Sequence, residues 1–399
     1  MSEGWKYDVL SELVTVINGL WKGKKEPFIN VGVIRNANFN KDITLNYSNI
    51  EYLDVEERQY KTRKLLSGDL IVEKSGGSEK QPVGRTVLFR GEGEFSVSNF
   101  TSILRIKDQN VIIPEFLYKY LLFVYYSGVT KAMQKATTGI HNILFDKFLA
   151  IQIPIPSIVE QERIVSLLDL EFAKIDAIKA NAEKQLQDAK KIYQNILSDL
   201  FVPKDNWDII KLKDIVNYRR GSFPQPYGNK EWYGGEDAMP FVQVAEMQED
   251  KFDLIYPTNR QISKIAQEYS VFVPKNTVLV SLQGSIGKVA ITQYDCYVDR
   301  TIAIFTGYKK DVVKEFFAYQ VKFKFAIEAL NARGTTIKTI TKEEFSDFSI
   351  RIAPYEEQKI IVKKLDILSE RLKQLQSNYE QTITLCSDLK QSILKDIFG

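Results

Sequence analysis

Few side chains in this 399-residue chain are of the types that usually perform catalysis. It has one histidine, His141, and two cysteines, Cys296 and Cys386, which lie in distant and dissimilar sequence contexts. Histidine is the usual general base, proton shuttle and metal ligand near neutral pH. The small number of histidines and cysteines argues against a catalytic triad, a zinc site or a disulfide scaffold, and it favours a reducing compartment. We therefore predict no catalytic residue and no metal ligand.

Two short motifs suggest chemistry, but both signals are weak. The run Gly284-Ser285-Ile286-Gly287-Lys288 looks like a phosphate-binding loop, but it lacks the GxxxxGK[ST] spacing. A turn between two strands is the better interpretation. Asp69 followed by Glu73-Lys74 has the residue types of a nuclease site, in a pattern too common to indicate one. The chain has no [DN]PP[YF] motif and no glycine-rich cofactor loop after a strand, so nothing indicates a methyltransferase.

Composition and charge are those of an ordinary globular protein. Hydrophobic residues make up 44% and charged residues 26% of the chain. No apolar run reaches the roughly 20 residues of a membrane span, and the start MSEGWKYDVL does not resemble a secretory signal, so we expect a cytoplasmic protein. The net charge is +3, but residues 160–201 and 356–399 together carry −2. The excess positive charge therefore lies outside these two stretches, where we expect any contacts with nucleic acid.

An internal repeat decides the predicted architecture. Residues 148–201 align without a gap with residues 345–398, with 16 identities in 54 pairs. The similarity continues more loosely upstream, where Trp5 corresponds to Trp207. The chain is therefore two halves of about 200 residues. The predicted segments are a globular domain at 1–155, a central long helix at 156–202, a second globular domain at 203–353 and a C-terminal long helix at 354–399.

The two helical stretches carry the heptad pattern of a coiled coil. Prolines limit them, because Pro156 precedes the first, Pro203 follows it and Pro354 precedes the second. Each helix of about 42 residues would be about 60 Å long. The predicted seam has apolar or small residues at alternating spacings of three and four. It consists of Leu168, Ile175, Ile178, Ala182, Ala189 and Ile196 in the first helix and Leu365, Leu368, Leu372, Leu375, Tyr379, Cys386, Leu389 and Ile393 in the second.

Two such seams in one chain are expected to pair with each other, and an antiparallel arrangement would place the globular domains at opposite ends. Long heptad helices are also common in purely structural coiled coils, so their periodicity alone does not indicate a function. A duplicated domain on a rigid spacer does suit a ligand with two sites at a fixed distance, such as duplex DNA.

The two globular segments mix short strand-like runs with turns and one helical stretch each, which predicts an α+β fold. Polar and basic residues in the turns are the candidate DNA contacts, because Lys and Arg neutralise phosphates and Arg, Asn and Gln pair with base edges. A solvated surface residue is the alternative at each position. The candidates in the first half are Lys22, Lys24, Lys25, Arg35, Asn36, Asn38, Lys74, Ser75, Ser78, Lys80, Arg85, Thr137, Thr138 and His141. Those in the second half are Arg219, Arg220, Gln225, Tyr227, Gln243, Gln283, Ser285, Lys288, Arg300, Arg333, Thr335, Thr336 and Lys338.

These features together resemble a type I restriction–modification specificity subunit, over nearly the whole chain. The first copy of the family signature consists of Trp5, Thr137-Thr138-Gly139, Phe148, Ile153-Pro154-Ile155-Pro156 and Glu160-Gln161. The second copy consists of Trp207, Gly334-Thr335-Thr336, Phe345, Ile350-Arg351-Ile352-Ala353-Pro354 and Glu357-Gln358. One departure is Gly334-Thr335-Thr336, where the glycine comes first instead of last.

The resemblance implies that each globular domain is a target-recognition domain, which reads one half of a bipartite, asymmetric DNA sequence through the major groove. It further implies that the paired helices set the spacer between the half-sites and dock two methyltransferase subunits. Those subunits would bind S-adenosylmethionine and flip the adenine, while this chain would bind no cofactor. A restriction subunit can join such a complex.

Two other functions stay open from the sequence. The chain could be the reader part of a fused or related restriction or methylation enzyme, although the catalytic motifs of such an enzyme are missing. It could also be a non-DNA scaffold whose twin domains bind protein partners.

Overall fold

The computed structural model describes residues 4–20, 23–79, 81–137, 140–202, 204–248, 252–308, 311–331, 345 and 347–399. The chain divides into two compact units. The first unit is Met1–Gln185 with Asn378–Gly399, and the second is Leu186–Ser377. Each unit therefore contains one globular segment and a part of each long helix. These units follow spatial contacts, so the four-segment division along the sequence stays a prediction.

The helices include two that are much longer than the rest. They are α1 (Leu10–Leu13), α2 (Glu57–Arg63), α3 (Pro114–Tyr126), α4 (Val129–Ala132), α5 (Phe145–Leu149), α6 (Ile158–Leu200), α7 (Leu212–Ile215), α8 (Lys264–Gln267), α9 (Lys314–Asn331) and α10 (Tyr355–Phe398). Short 3-10 turns lie at Asn36–Asn38, Lys230–Trp232 and Val244–Glu246. We call α6 and α10 the long helices. No helix in the described ranges combines the length and the apolar character that a bilayer crossing requires.

The strands are short and fall into two sets, one in each unit. Those of the first unit are β1 (Lys6–Val9), β2 (Val14–Asn18), β3 (Phe28–Ile34), β4 (Glu51–Glu56), β5 (Leu70–Glu73), β6 (Ser75–Gly77), β7 (Thr86–Leu88), β8 (Phe95–Val97), β9 (Thr101–Ile106), β10 (Gln134–Thr137), β11 (Ile140–Ile143) and β12 (Gln152–Ile155). Those of the second are β13 (Asp208–Lys211), β14 (Asn217–Arg220), β15 (Met239–Val242), β16 (Arg260–Ile262), β17 (Val271–Val273), β18 (Val278–Ser281), β19 (Val289–Ile291), β20 (Cys296–Val298), β21 (Ile302–Thr306) and β22 (Ser349–Ile352).

The first unit is built from several small sheets around a large core and a smaller apolar cluster. The sheet orders are β2-β9-β5-β7, β4-β3-β8, β10-β11-β6 and β1-β12. Strand β5 is buried along its whole length, which is expected for Leu-Ile-Val, and its last residue Glu73 is buried because it pairs with Arg85. The core continues through Phe116 of α3 and Leu168 of α6 to Phe398 at the end of α10. The two long helices are thus part of the packing of this domain.

The second unit repeats this plan. Its sheet orders are β14-β21-β18-β19, β16-β15-β20-β17 and β13-β22. Strands β14, β21, β18 and β19 take the places of β2, β9, β5 and β7, and the parallel pair β15-β20 takes the place of β3-β8. Its core joins Phe316 and Phe317 of α9 to Phe201, directly after α6, and to Leu365 of α10. The predicted α+β fold with an internal repeat is confirmed, and the repeat includes the sheets where sequence similarity is faint.

The long-helix segments run antiparallel within each unit. In the first unit the Lys390 ammonium lies 2.6 Å from an Asp176 carboxylate oxygen, and the Tyr379 hydroxyl donates to Gln185 at 2.7 Å. In the second unit the Tyr193 and Ser369 hydroxyls lie 2.9 Å apart, and Lys204, just after α6, pairs with Glu357 of α10. The residue number rises on one helix as it falls on the other, which is the expected pairing.

The seam is narrower than the sequence predicts. The predicted seam positions that are buried or half-buried are Leu168, Ile175, Ala182, Ala189, Ile196, Leu365, Leu368, Leu372, Tyr379, Cys386 and Ile393. The prediction is wrong for three others, since Ile178 is 52%, Leu375 40% and Leu389 49% exposed. One heptad row repeats every seven residues and packs inward. In α6 the second row, which contains Ile178, is interrupted by Glu171 and Gln185. It therefore does not form a continuous apolar contact.

Candidate nucleic-acid interface

A buried glutamine ties each globular domain to the start of its long helix. Gln161 is fully buried, and its side-chain oxygen accepts the Ile113 N–H at 2.9 Å. Its amide nitrogen donates to the carbonyls of Val111 at 2.9 Å and Pro156 at 3.0 Å. All three partners are main-chain atoms that precede α3 or α6. This buried glutamine therefore satisfies three backbone groups and joins the start of α6 to the domain.

The second unit has the same glutamine contact. Gln358 is 1% exposed, accepts the Val313 N–H at 2.8 Å and donates to the carbonyls of Asp311 at 3.3 Å and Ala353 at 2.7 Å. The glutamine of the repeated Glu-Gln motif therefore has a positioning role. Glu160 instead lies at the surface and pairs with Arg163 within its own helix.

In the first unit, Lys24 and Lys25 lie on a loop whose backbone is anchored. Their N–H groups donate to the same carboxylate oxygen of Glu56, at 2.7 and 2.9 Å, and these bonds hold the pKa of Glu56 below its usual value. Both lysines are exposed. The loop therefore presents two ammonium groups from a fixed backbone, an arrangement that suits phosphates.

Five further candidates of the first unit lie at or next to strand β6. Asn36 donates to the Ser75 carbonyl, and Ser75 and His141 lie on the paired strands β6 and β11. The His141 Nδ1 atom is buried and has no hydrogen-bond partner within the described residues. Lys74 donates to the Asn18 side chain at 2.9 Å, and burial lowers its pKa. The exposed Ser78 caps the adjacent turn through the Gln81 N–H.

Two candidates of the first unit have structural roles instead, so the prediction that they contact DNA is wrong. Asn38 is buried, accepts the Arg35 N–H at 2.9 Å and donates to the Asn49 carbonyl at 3.0 Å. Arg85 is buried and makes two bonds to the Glu73 carboxylate, at 2.8 and 3.0 Å. A buried charge is stable only when it is paired in this way, so Arg85 is not available to a phosphate. Arg35 is half-exposed and pairs with Glu51.

The same ion pairs remove the nuclease interpretation. Glu73 is held by Arg85, and Asp69 accepts two bonds from Arg105, at 2.7 and 2.8 Å. Both carboxylates are buried and neutralised inside the domain. In the described ranges, no group of three or more His, Cys, Asp or Glu side chains is arranged to hold a metal ion.

In the second unit the structure brings Tyr227 and Arg300 together. The Arg300 guanidinium lies 5.6 Å from the centre of the Tyr227 ring, whose hydroxyl donates to the buried Asp299. Burial and this bond raise the pKa of Tyr227. Arg219 and Gln225 are exposed, whereas Arg220 and Gln243 are half-buried.

The run from Gly284 to Lys288 is confirmed as a turn between β18 and β19. The Ser281 hydroxyl donates to the Ser285 carbonyl at 2.6 Å and accepts the Lys288 N–H at 2.9 Å. The Lys288 ammonium donates to the Met247 carbonyl at 2.9 Å and is half-buried, so it mainly supports the turn. Ser285 is exposed and Gln283 half-buried on the same turn.

Several candidates lie outside the described residues. They are Lys22, Lys80, Thr138, Arg333, Thr335, Thr336 and Lys338. For Thr137, only the backbone is described, as part of β10.

The sequence predictions missed a polar group in the second unit. Asn259, Arg260 and Gln261 are consecutive exposed residues at β16, and Arg260 lies against Tyr233. The available signal was a run of three side chains that can all read base edges.

The chain has a duplicated α+β domain with exposed cations and amides on its loops, and a buried glutamine joins each copy to a long helix. This arrangement is typical of proteins that recognise a ligand at two places. The sequence model of the family "Type I restriction modification DNA specificity domain" matches residues 2–188 and 204–385. This chain belongs to that family, which confirms the resemblance drawn from the repeated motifs.

Individual relatives agree with this assignment. The chain is 23% identical over 407 residues to a Methanocaldococcus jannaschii protein provisionally named the specificity subunit of type I restriction enzyme MjaX, covering 95% of this chain and 90% of that one. It is 29% identical over 209 residues to the StySPI specificity subunit of Salmonella potsdam, covering 50% of this chain and 42% of that one.

Two solved structures share the fold. One, from a study of assembly and conformational transition in a type I restriction–modification system, aligns with a TM-score of 0.77 at 17% identity and covers 99% of this chain and 97% of that one. The HsdS subunit of Thermoanaerobacter tengcongensis aligns with a TM-score of 0.55 at 18% identity and covers 100% and 97%.

Proposed function

We propose that this chain is the DNA sequence-recognition subunit of a type I restriction–modification complex and performs no catalysis itself. The observation that carries the proposal is the family match to both halves of the chain, with relatives named as specificity subunits. In this proposal each globular domain reads one half of a bipartite, asymmetric target. The long helices set the length of the unread spacer.

Exposed cations in each unit support DNA as the ligand. Lys24 and Lys25 in the first unit, and Arg219 and Arg300 in the second, extend from loops or strand ends. Such side chains supply the phosphate contacts that position a protein on a duplex, whereas amide and guanidinium groups supply contacts with bases.

Exposed apolar residues on the long helices support the proposal that two copies of one protein partner bind there. Ile178 and Leu375 occupy equivalent positions of the repeat, as do Ile192 and Leu389, and all four are exposed. Apolar side chains retained at exposed, equivalent positions fit a contact that is made twice. We propose that the partners are two methyltransferase subunits, which carry S-adenosylmethionine, and that this chain carries no cofactor.

The proposal is tested by the salt dependence and sequence preference of DNA binding. The full-length chain, with a co-expressed methyltransferase subunit, should enrich a two-part motif from a library of random duplexes. A complex with six to ten phosphate contacts loses about 10³- to 10⁵-fold in affinity between 50 and 200 mM salt. Binding only to a protein, without enrichment of DNA, would instead identify a scaffold.

A further inference from the structure

An open groove of about 510 Å³ lies at one edge of the second unit. Tyr227 and Tyr233 line it together with Asn259, Arg260 and Gln261. Two of its other lining residues, Gly228 and Gly234, have no atoms within 4 Å of the place where a Cβ would lie. The groove therefore combines aromatic faces, amides and a guanidinium with free space, the combination that proteins use to contact nucleic-acid bases.

The Arg260 side chain in this groove is oriented by contacts with Tyr233. It is exposed at the start of β16, and β16 is an edge strand of its sheet. Its guanidinium lies 5.0 Å from the Tyr233 ring centre, and Nη1 donates to the Tyr233 hydroxyl at 2.9 Å. That hydroxyl donates in turn to the Tyr227 carbonyl at 2.7 Å.

This arrangement leaves most of the guanidinium available. An arginine has five N–H donors, and the Tyr233 hydroxyl accepts from one nitrogen. In the described part of the chain, no carboxylate lies within ion-pair distance of Arg260, whereas Arg35, Arg85 and Arg105 each pair with one. The Tyr233 contact orients the group without neutralising its charge.

The backbone that carries Arg260 is also held in place. The Thr258 hydroxyl donates to the Arg260 carbonyl at 2.6 Å, and the Asn259 N–H donates to the buried Glu246 carboxylate at 3.1 Å. The Gly234 N–H donates to the Gln261 carbonyl at 3.0 Å. Contacts on both sides of Arg260 therefore limit the conformational freedom that binding would otherwise remove.

We propose that Arg260 is a specificity-determining residue that reads a guanine in the half-site of the second domain, with its free N–H groups bonded to guanine O6 and N7. This inference rests on the proposed function. A fixed, planar fork matches the two acceptors of guanine, and this pairing is the commonest specific protein–base contact. Arg300, stacked on Tyr227, supplies a second exposed cation for the neighbouring phosphate.

The test is duplex selection by the full-length chain with its methyltransferase subunits, with Arg260→Gln compared to the parent. The parent motif should contain a guanine in one half-site, and Arg260→Gln should reduce the preference for it about 5- to 150-fold. The other half-site and the spacer should not change. Lys264→Gln is the control, because it removes one exposed positive charge four residues along the chain and outside the groove lining, and it should leave the motif unchanged.

Two further variants act on the groove without altering Arg260. Tyr233→Phe removes the hydroxyl that orients the guanidinium and should weaken the same guanine preference by a smaller factor. Gly228→Leu fills open space, since no atom lies within 4 Å of its added Cβ, and should abolish reading of that half-site while the domain stays folded.

An unchanged motif in Arg260→Gln would overturn the inference, as would a uniform loss of affinity over all sequences, which would make Arg260 a phosphate contact. These results differ from failure of the proposed function. In that case the parent chain itself would enrich no DNA motif.

Discussion

The Lys119 ammonium of α3 lies 2.6 Å from the Asp169 carboxylate of α6, with the lysine side chain only 8% exposed. The lysine also lies 4.6 Å from the centre of the Phe172 ring, and burial lowers its pKa. The equivalent carboxylate of the second unit, Asp366, accepts a hydrogen bond from the Tyr319 hydroxyl at 3.1 Å. The contact between the domain and its long helix is thus an ion pair in the first unit. In the second unit it is a hydrogen bond from a neutral tyrosine hydroxyl.

This difference predicts unequal costs for the same substitution. Asp169→Asn leaves the buried Lys119 without its counter-charge and should destabilise the first unit by about 1–2 kcal/mol, less than for a fully buried pair because Asp169 is half-exposed. Asp366→Asn keeps an acceptor for the Tyr319 hydroxyl and should cost about 0.5 kcal/mol or less. Urea denaturation of both variants measures the difference. Equal destabilisation would contradict the assigned roles.

The buried glutamines predict a second loss of stability. Gln161→Leu leaves the Ile113 N–H and the Val111 and Pro156 carbonyls without partners and should cost about 2–4 kcal/mol. Amide exchange should rise at Ile113 and at the start of α6. Glu160→Gln, which changes a surface ion pair one residue away, is the control and should move stability by about 0.5 kcal/mol or less. Normal protection of Ile113 in Gln161→Leu would show that this contact is dispensable.

Substitution of Lys24 and Lys25 should change the salt dependence of DNA binding. The Lys24→Gln, Lys25→Gln double variant should reduce the slope of log K against log salt by about 1.8, because each lost phosphate contact contributes about 0.9. Folding should be unaffected, since the contacts with Glu56 use backbone N–H groups. The enriched sequence should stay the same. A parent-like slope, measured by titration at several salt concentrations, would remove these lysines from the interface.

The long helices predict a change of spacer. Deleting the seven residues 182–188 and the equivalent seven residues 379–385 leaves the exposed Ile178 and Leu375 in place, preserves the heptad register and shortens each helix by about 10 Å. We expect an enriched motif whose spacer is about three base pairs shorter, since base pairs are about 3.4 Å apart, with both half-sites unchanged. A deletion in α6 alone leaves the two long helices unequal in length, and it should lower the affinity for DNA with any spacer. An unaltered spacer in the double deletion would show that the helices do not set it.

The exposed apolar residues predict the stoichiometry of the complex. Ile178→Glu and Leu375→Glu should each remove one of two bound methyltransferase subunits, and the double variant should remove both, because a charge in an apolar contact is costly. Native mass spectrometry counts the subunits. Ala177→Glu and Gln374→Glu place a charge on the neighbouring exposed positions and serve as controls. Loss of both subunits from a single variant would contradict two independent contacts.

The order of the elements could be predicted from sequence because its signals are local. Prolines before and after the helical stretches, and the constant offset of the repeat, anticipated helices at Ile158–Leu200 and Tyr355–Phe398. The width of the seam was not predictable. Whether Ile178 or Leu375 packs inward depends on the facing helix, which is far away in sequence.

The candidate site was predictable only in part, for the same reason. Asn38 and Arg85 have the residue types of DNA contacts. Both are buried, and their polar groups bond to Asn49 and Glu73. The run Asn259-Arg260-Gln261 was visible in the sequence, but the orientation of Arg260 was not, because Tyr233 is 27 residues away in the chain. A residue type gives the chemistry a side chain can perform, while long-range contacts decide whether that chemistry is available.

The glutamine contacts have a consequence for how such chains diversify. Gln161 and Gln358 bond only to main-chain carbonyl and N–H groups, and every amino acid except proline offers both groups. This hydrogen-bonded joint does not depend on the side chains of the domain, whereas the contact of Asp169 with Lys119 does. Genetic recombination at the boundaries of either domain could therefore supply a new reading surface without remaking the joint, so new specificities could arise by exchange of whole domains as well as by point mutation.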